Sequence, residues 1–347
     1  MRNDLDTDLV LVRRQRRVEP RRAVLVGGLT LVALVIAFGW SLGYGGYPLS
    51  FEEILQALIG QGSARTRYIV VEVRLPRALV GVLVGLAFGM SGALFQALAR
   101  NPLASPDIIG ITSGASTAAV AGIVLAGAGG LAVTGYALVG ALATAALIFL
   151  LAYRRGTSPY RLVLVGIGIS AFLGAITGYL LVRASVNELQ QATVWMTGSL
   201  TGREWQHVPA VACGVAVLVP AGLLLARPLR IVQLGDDSAT MLGLRPEVTR
   251  LLIVLVGVGL AALATAAAGP IAFVAFVSPA IARRLVRSPM TLLPSALLGG
   301  LLVSAADLIG RAGAVGVPLP VGVVTGVIGA PYLIWLLARA NRIGVAG

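Results

Sequence analysis

The chain has 347 residues, 57% of them hydrophobic and 12% charged, with a mean hydropathy of +0.92. A soluble domain needs a charged surface that this composition does not provide, so lipid is the solvent for most of the chain. The formal net charge is +13 and all 27 basic residues are arginine, but they sit in short connectors between apolar runs, which points to a membrane and away from nucleic acid.

A hydrocarbon core of roughly 30 Å needs about 20 apolar residues per helix. The first run, Ala23 to Trp40, follows a stretch rich in arginine, from Arg13 to Arg22. That arrangement resembles the start of a signal peptide, but the length of the run and the lack of a small-x-small cleavage site predict a retained first span. Apolar runs then follow at 78–99, 108–127, 131–152, 162–182, 208–226, 249–268, 271–285, 292–309 and 321–338. The predicted fold is an all-α polytopic membrane protein of about ten transmembrane helices. Residues 1–22 read as a basic cytoplasmic tail, 23–340 as one transmembrane domain and 341–347 as a second short cytoplasmic tail.

With the N-terminus in the cytoplasm, 20 arginines fall inside and seven outside: Arg65, Arg67, Arg74, Arg77, Arg183, Arg203 and Arg311. This bias predicts that both termini are cytoplasmic. Two outer connectors are longer than turns. In Tyr47 to Arg77, Pro48 and Ser50 precede Phe51-Glu52-Glu53-Ile54-Leu55, which predicts a short amphipathic helix on the membrane surface. In Arg183 to Arg203, Trp195 reads as an interfacial anchor. His207 reads as a solvated interfacial residue, and Cys213, the one cysteine, as a buried small hydrophobe.

Small residues recur every fourth position at Gly81, Gly85 and Gly89, and again at Gly166, Ser170, Gly174 and Gly178. Such stripes let helices approach closely where lipid supplies no hydrophobic drive, so they mark helix packing or a translocation path.

Several chemistries are missing. A P-loop ATPase needs a lysine on the terminal phosphates, and the chain has none. An ion-coupled carrier usually buries ionisable groups in its spans; here Asp307 stands out, and Arg311 four residues on favours local pairing over a relay. One histidine and one cysteine build neither a metal cluster nor a nucleophile with its base, so no catalytic or metal site is expected. An ion-coupled carrier and a structural scaffold are the weaker alternatives to a passive conduit.

The cytoplasmic connector at 227–246 carries short apolar stretches around Gly235, with Asp236, Asp237 and Ser238 as N-cap candidates and Pro228 and Pro246 at its flanks. This pattern predicts two short helices with a sharp turn between them, suited to docking a cytoplasmic partner.

Over nearly its whole length the chain resembles the permeases of bacterial ATP-binding cassette (ABC) importers for iron siderophores, haem and cobalamin. The residues that carry the resemblance are Arg74-Leu-Pro-Arg77, Gly92 to Ala97, Asn101-Pro-Leu-Ala-Ser-Pro106 with Gly110, Trp195 to Leu200 and Leu234 to Gly243, then Gly269-Pro-Ile-Ala-Phe273, Pro320 to Thr325 and Gly329-Ala-Pro331. The resemblance implies the type II ABC importer fold, with two ten-span permeases around a central path in the cytoplasmic membrane. Two ATP-binding subunits, carrying ATP and Mg, are expected beneath, and a soluble or lipid-anchored substrate-binding protein above. It implies no enzymatic activity, cofactor or metal in this chain.

By the same resemblance, Arg74, Arg77 and Arg311 meet carboxylates of the binding protein, a role that suits arginine's fork of donors. Leu234, Gly235, Asp236, Asp237, Ser238, Met241 and Gly243 form the coupling element seated in the ATPase. Ser158, Pro159 and Tyr160 stand where the cytoplasmic gate is expected, with Pro159 and Tyr160 in place of a small hydroxylated pair. The sequence Ser278-Pro-Ala-Ile-Ala-Arg283, together with Tyr332 and Trp335, resembles one half of ferric catecholate-siderophore permease pairs. That likeness favours a ferric siderophore over cobalamin or haem, and a heterodimer over a homodimer.

Overall fold

A computed structural model describes residues 2–107, 110–152, 159–313 and 317–344, with side chains from Arg21 onward except at 159–160, 337 and 339–344. The described residues form helices and connectors without strands. The helices are α1 (Arg2–Gly43), α2 (Phe51–Leu58), α3 (Ala64–Arg67), α4 (Leu75–Ala99), α5 (Ile111–Ala126), α6 (Leu131–Ala152), α7 (Pro159–Arg183) and α8 (Val186–Met196). They continue with α9 (Val208–Leu224), α10 (Ala226–Val232), α11 (Asp236–Met241), α12 (Pro246–Ala268), α13 (Val274–Val286), α14 (Leu292–Ala312) and α15 (Val321–Gly344).

Seven segments are long and apolar enough to cross a membrane, and α5 and the Val321–Leu336 part of α15 are shorter apolar helices. These nine segments match nine of the apolar runs read from the sequence, and the remaining run, 271–285, is α13. At 1.5 Å per residue, the 13 residues of α13 reach only about 20 Å. Non-helical backbone at 269–273 precedes it, and α5 is preceded by non-helical backbone described at 101–107 and at Gly110. Non-helical backbone at membrane depth is tolerated only inside protein or along a cavity.

The core is organised around α4, whose 16 buried residues pack against α9, α12, α13 and α14. Gly85 and Gly89 explain how α14 comes so close. A Cβ at Gly85 would lie 2.4 Å from the Gly299 carbonyl oxygen, and one at Gly89 2.2 Å from that of Ser295, so the two backbones touch. Gly81 faces Leu200, and Gly92 lies against the carbonyl of Ala275 at the start of α13. The stripe on α7 behaves differently. Gly166 and Ser170 pack on Gly110, whereas Gly174 and Gly178 have nothing within 4 Å of where a Cβ would stand. Only 17% of the α7 span is buried, and its open face carries Ile167, Phe172 and Tyr179.

The amphipathic surface helix is α2. Ser50 caps it by accepting from the Glu53 amide, and the Glu53 carboxylate accepts from the Ser50 amide at 2.7 Å. Those backbone and side-chain contacts hold the Glu53 carboxyl below its ordinary value. A second capping box, Ser185 with Glu188, starts α8.

Three sequence expectations are corrected. Trp195 is no interfacial anchor; it is buried beside Ala192 and Phe95, because α8 folds back onto the bundle. Trp205, in the same connector region, is partly exposed instead and donates its indole N–H to the Val71 carbonyl at 2.9 Å. His207 is 3% exposed, its Nδ1 accepting from the Glu204 amide at 3.3 Å. Cys213 is exposed on α9.

Candidate functional site

The outer arginines are tied to their own chain. Residues 64 to 99 form one continuous helical rod in which Tyr68–Arg74 is a π-helical segment. Such segments are rare and recur at functional positions. Arg74 leaves this segment buried at 6% exposure and donates to the carbonyls of Leu42 at 2.7 Å and Gly43 at 3.0 Å, and to that of Tyr47. It thereby caps the end of α1, where the Gly43 carbonyl also accepts from the Leu49 amide at 3.2 Å. Arg77, one turn on, donates to Asp307 Oδ1 at 2.7 Å. Arg311 pairs with Asp307 Oδ2 and also donates to the Ser41 hydroxyl at 2.6 Å.

The Asp307–Arg311 spacing does pair locally, as its four-residue separation predicts, and Arg77 joins it from α4. Two arginines thus share one carboxylate that is 3% exposed, joining α1, α4 and α14 at one end of the bundle. Arg77 and Arg311 keep a net positive charge there, while Arg74 has no free face to offer a partner.

At the opposite end, α10 and α11 are the two short helices expected from the sequence. Gly235 makes the turn at φ +112, a left-handed value that favours glycine, and Gly243 closes α11 at φ +81. Asp236 does not cap α11; its carboxylate takes both guanidinium N–H groups of Arg250 on α12. Asp237 and Ser238 are exposed.

Leu229 and Val232 bury the inner side of α10, whereas Leu234 is 68% exposed and Met241 88% exposed. Leu242, next to Met241, is 62% exposed as well. Reciprocal caps link α10 to α4: Gln233 donates to the Ala97 carbonyl at 2.7 Å, and Arg100 donates to the Val232 carbonyl at 3.1 Å. Arg100 adopts a left-handed conformation, φ 50, to reach it.

Of the expected gate, Ser158 lies outside the described residues; Pro159 and Tyr160 open α7, but their side chains are outside them as well. Arg284 near the C-terminal end of α13 stacks over Trp335 at 4.3 Å and Tyr332 at 5.5 Å, pinning α13 to α15.

A recess of about 520 Å³ lies between the irregular connectors that precede α5 and α13. Its lining includes Leu103, Asp107, Thr112, Phe273, Phe276 and Leu333. Phe273 holds φ 66, a conformation worth about 1–3 kcal/mol of strain in a bulky residue, and it wedges against Gly329, where a Cβ would lie 2.3 Å from its own. Burial raises the Asp107 carboxyl to about 6, and a hydrogen bond from Thr112 opposes the rise.

Asp107 escaped sequence reasoning because it follows directly on the Asn101-to-Pro106 motif and reads as part of a loop. The available signal was an acid at the mouth of an apolar run with no arginine within one turn after it. Among the described residues no three His, Cys, Asp or Glu side chains come together as a metal site.

Comparison with known proteins agrees with this architecture. Residues 33–339 match the FecCD transport family. The ferric enterobactin transport system permease protein FepG of Escherichia coli K12 is 41% identical over 323 residues, covering 93% of this chain and 98% of its own. The iron(3+)-hydroxamate import system permease protein FhuG of Bacillus subtilis 168 is 38% identical over 335 residues, covering 94% and 100%. A solved structure described as an inward-facing conformation of a metal-chelate type ABC transporter superposes with a TM-score of 0.80 at 28% identity, over 91% of this chain and 99% of that one. A helical bundle with seven segments long and apolar enough to cross a membrane, and a family match over residues 33–339, make the chain a member of the FecCD transport family, a multi-pass membrane permease.

Proposed function

We propose that this chain forms one half of the channel of an ABC importer that carries a ferric siderophore inward across the cytoplasmic membrane. Membership of the FecCD family supports the transport role, and relatives named for ferric enterobactin and ferric hydroxamate import support an iron chelate as cargo. The observation that carries the reading is the coupling element: Leu234 and Met241 project from a short helical pair that hydrogen bonds fasten to the ends of α4 and α12.

In this reading both termini are cytoplasmic, two ATP-binding subunits with their ATP and Mg seat α10 and α11, and a binding protein docks at the far end. Closure of the ATPase pair pushes on α11. Gln233 and Arg100 pass that displacement to α4, whose glycine-lined contact with α14 moves the bundle as a unit. Arg77 and Arg311 supply positive charge to the binding protein, while Arg74 shapes the docking surface by holding the end of α1. The open face of α7 receives a second permease, a related chain in preference to an identical one. The connector at Ser158, Pro159 and Tyr160 serves as the inner gate.

The test is the double substitution Leu234→Glu with Met241→Glu. Both side chains are largely exposed, so the permease should fold, while co-purification with its ATPase and ATP-driven chelate uptake should be lost. Normal uptake by the folded double variant contradicts the assignment.

A further inference from the structure

Two helices of this bundle, α5 and α13, are short, at 16 and 13 residues, and the connectors that precede them border the same recess of about 520 Å³. Irregular backbone within a helical membrane protein is tolerated where it packs inside protein or lines a cavity. On one side Gly110, at the start of α5, packs on Gly166 and Ser170 of α7; on the other, Leu333 of α15 closes the wall. Both α7 and α15 leave apolar faces open, with Ile167 and Phe172 on α7 and Val327 and Ile334 on α15 each more than half exposed.

Its wall is apolar except at one place. Asp107 lines it, with Ser105 and Thr112 as the other polar side chains and no second ionisable group in the described lining. Among the described residues Asp107 forms no ion pair, unlike Asp307 and Asp236, which are paired with arginines. A carboxylate in an apolar setting carries a desolvation cost that a cation entering the recess would offset. Aromatic rings add attraction for a cation and none for an anion. Although burial raises the Asp107 carboxyl to about 6, it remains mostly ionised at neutral pH.

The geometry points to a binding subsite for an apolar molecule bearing a protonated amine, with Asp107 as the counter-charge and Phe273 and Phe276 as the aromatic wall. The volume fits a small arylalkyl amine or one arm of a larger ligand. Resting on the importer reading, this makes Asp107 a specificity-determining residue: a ferric chelate with an ammonium-bearing arm would pause here, whereas an anionic arm would be repelled.

The experiment uses the full chain in nanodiscs of zwitterionic lipid at pH 7.5, with three probes of similar size: phenethylammonium, phenethyl alcohol and 3-phenylpropionate. Binding is read by saturation-transfer NMR and calorimetry. A charge-assisted contact predicts phenethylammonium bound about tenfold or more tighter than the alcohol, with the carboxylate weakest. Asp107→Asn should erase that order and Asp107→Glu should retain it.

Should Asp107→Asn fail to fold, the unmodified chain still tests the idea. Its preference for the ammonium probe over the alcohol should fade as the pH is lowered from 7.5 through about 6, the value to which burial raises this carboxyl. Equal binding of ammonium and alcohol by the unmodified chain, or a preference that survives Asp107→Asn, overturns the proposal. Neither result depends on chelate uptake, so failure of this subsite and failure of the importer reading are separable.

Discussion

Valine at position 89 should force α4 and α14 apart. A Cβ there would stand 2.2 Å from the Ser295 carbonyl oxygen, more than 1 Å inside ordinary contact, and the obstacle is backbone that no rotamer change can move. The displacement would also open the neighbouring crossing, where Gly85 and Gly299 each have room for no side chain. Overpacking a tight contact costs about 1–3 kcal/mol. With two crossings disturbed we expect the upper end, about 3 kcal/mol, or roughly a hundredfold shift toward the unfolded form.

Gly174→Val supplies the control, since nothing lies within 4 Å of that position, and its effect on the isolated chain should stay within about 0.5 kcal/mol. Reversible unfolding of the detergent-solubilised chain in denaturing detergent measures both. If Gly89→Val costs no more than Gly174→Val, the backbone contact between α4 and α14 is not what holds the bundle. In the assembled importer the ranking should reverse in kind: Gly174→Val should leave the chain folded but impair assembly or uptake.

Four further outcomes follow from particular contacts. Asp307→Asn leaves Arg77 and Arg311 buried without their carboxylate and should cost about 3–5 kcal/mol; an unfolding change below about 1 kcal/mol would show the triad to be solvated. Asp236→Asn breaks an exposed pair with Arg250 and should cost under about 1 kcal/mol by the same assay. Ser50→Ala removes one half of a capping box and should loosen α2 by about 1 kcal/mol, seen as faster amide exchange in Phe51–Leu58 with the spans unchanged. Asp107→Asn should stabilise the chain near neutral pH. Because the folded value, about 6, lies above the ordinary 3.8, the native carboxyl resists ionisation, so the stabilisation should shrink as pH falls from about 6 toward 3.8; an advantage that grows on acidification contradicts this.

Hydropathy located the helices well because a span must be apolar over a fixed length. Leu131–Ala152 coincides with its predicted run, and the other spans differ mainly where polar ends continue the helix, as at Pro246–Ala268 and Pro159–Arg183. Caps and breakers were legible for α2, α10 and α11, since Ser50, Glu53 and Gly235 act through their nearest neighbours in the chain. Partnerships between distant segments were not. Arg74 reads as a boundary arginine until the end of α1 is seen to supply its carbonyls, and Asp307 acquires Arg77 from a helix 230 positions away. The two small-residue stripes look alike in one dimension, yet one buries a backbone contact along its length and the other packs only at Gly166 and Ser170, with open space at Gly174 and Gly178. Trp195, His207 and Asp107 share the same cause, because burial of a connector residue depends on where its segment folds back.

The account rests on a permease that another subunit powers, and reconstitution tests it most directly. Proteoliposomes containing this chain, its companion permease and their ATPase should accumulate the ferric chelate delivered by the binding protein when ATP is supplied, with or without an ion gradient. Uphill accumulation by this chain alone, driven by a proton or sodium gradient without ATP, would contradict it.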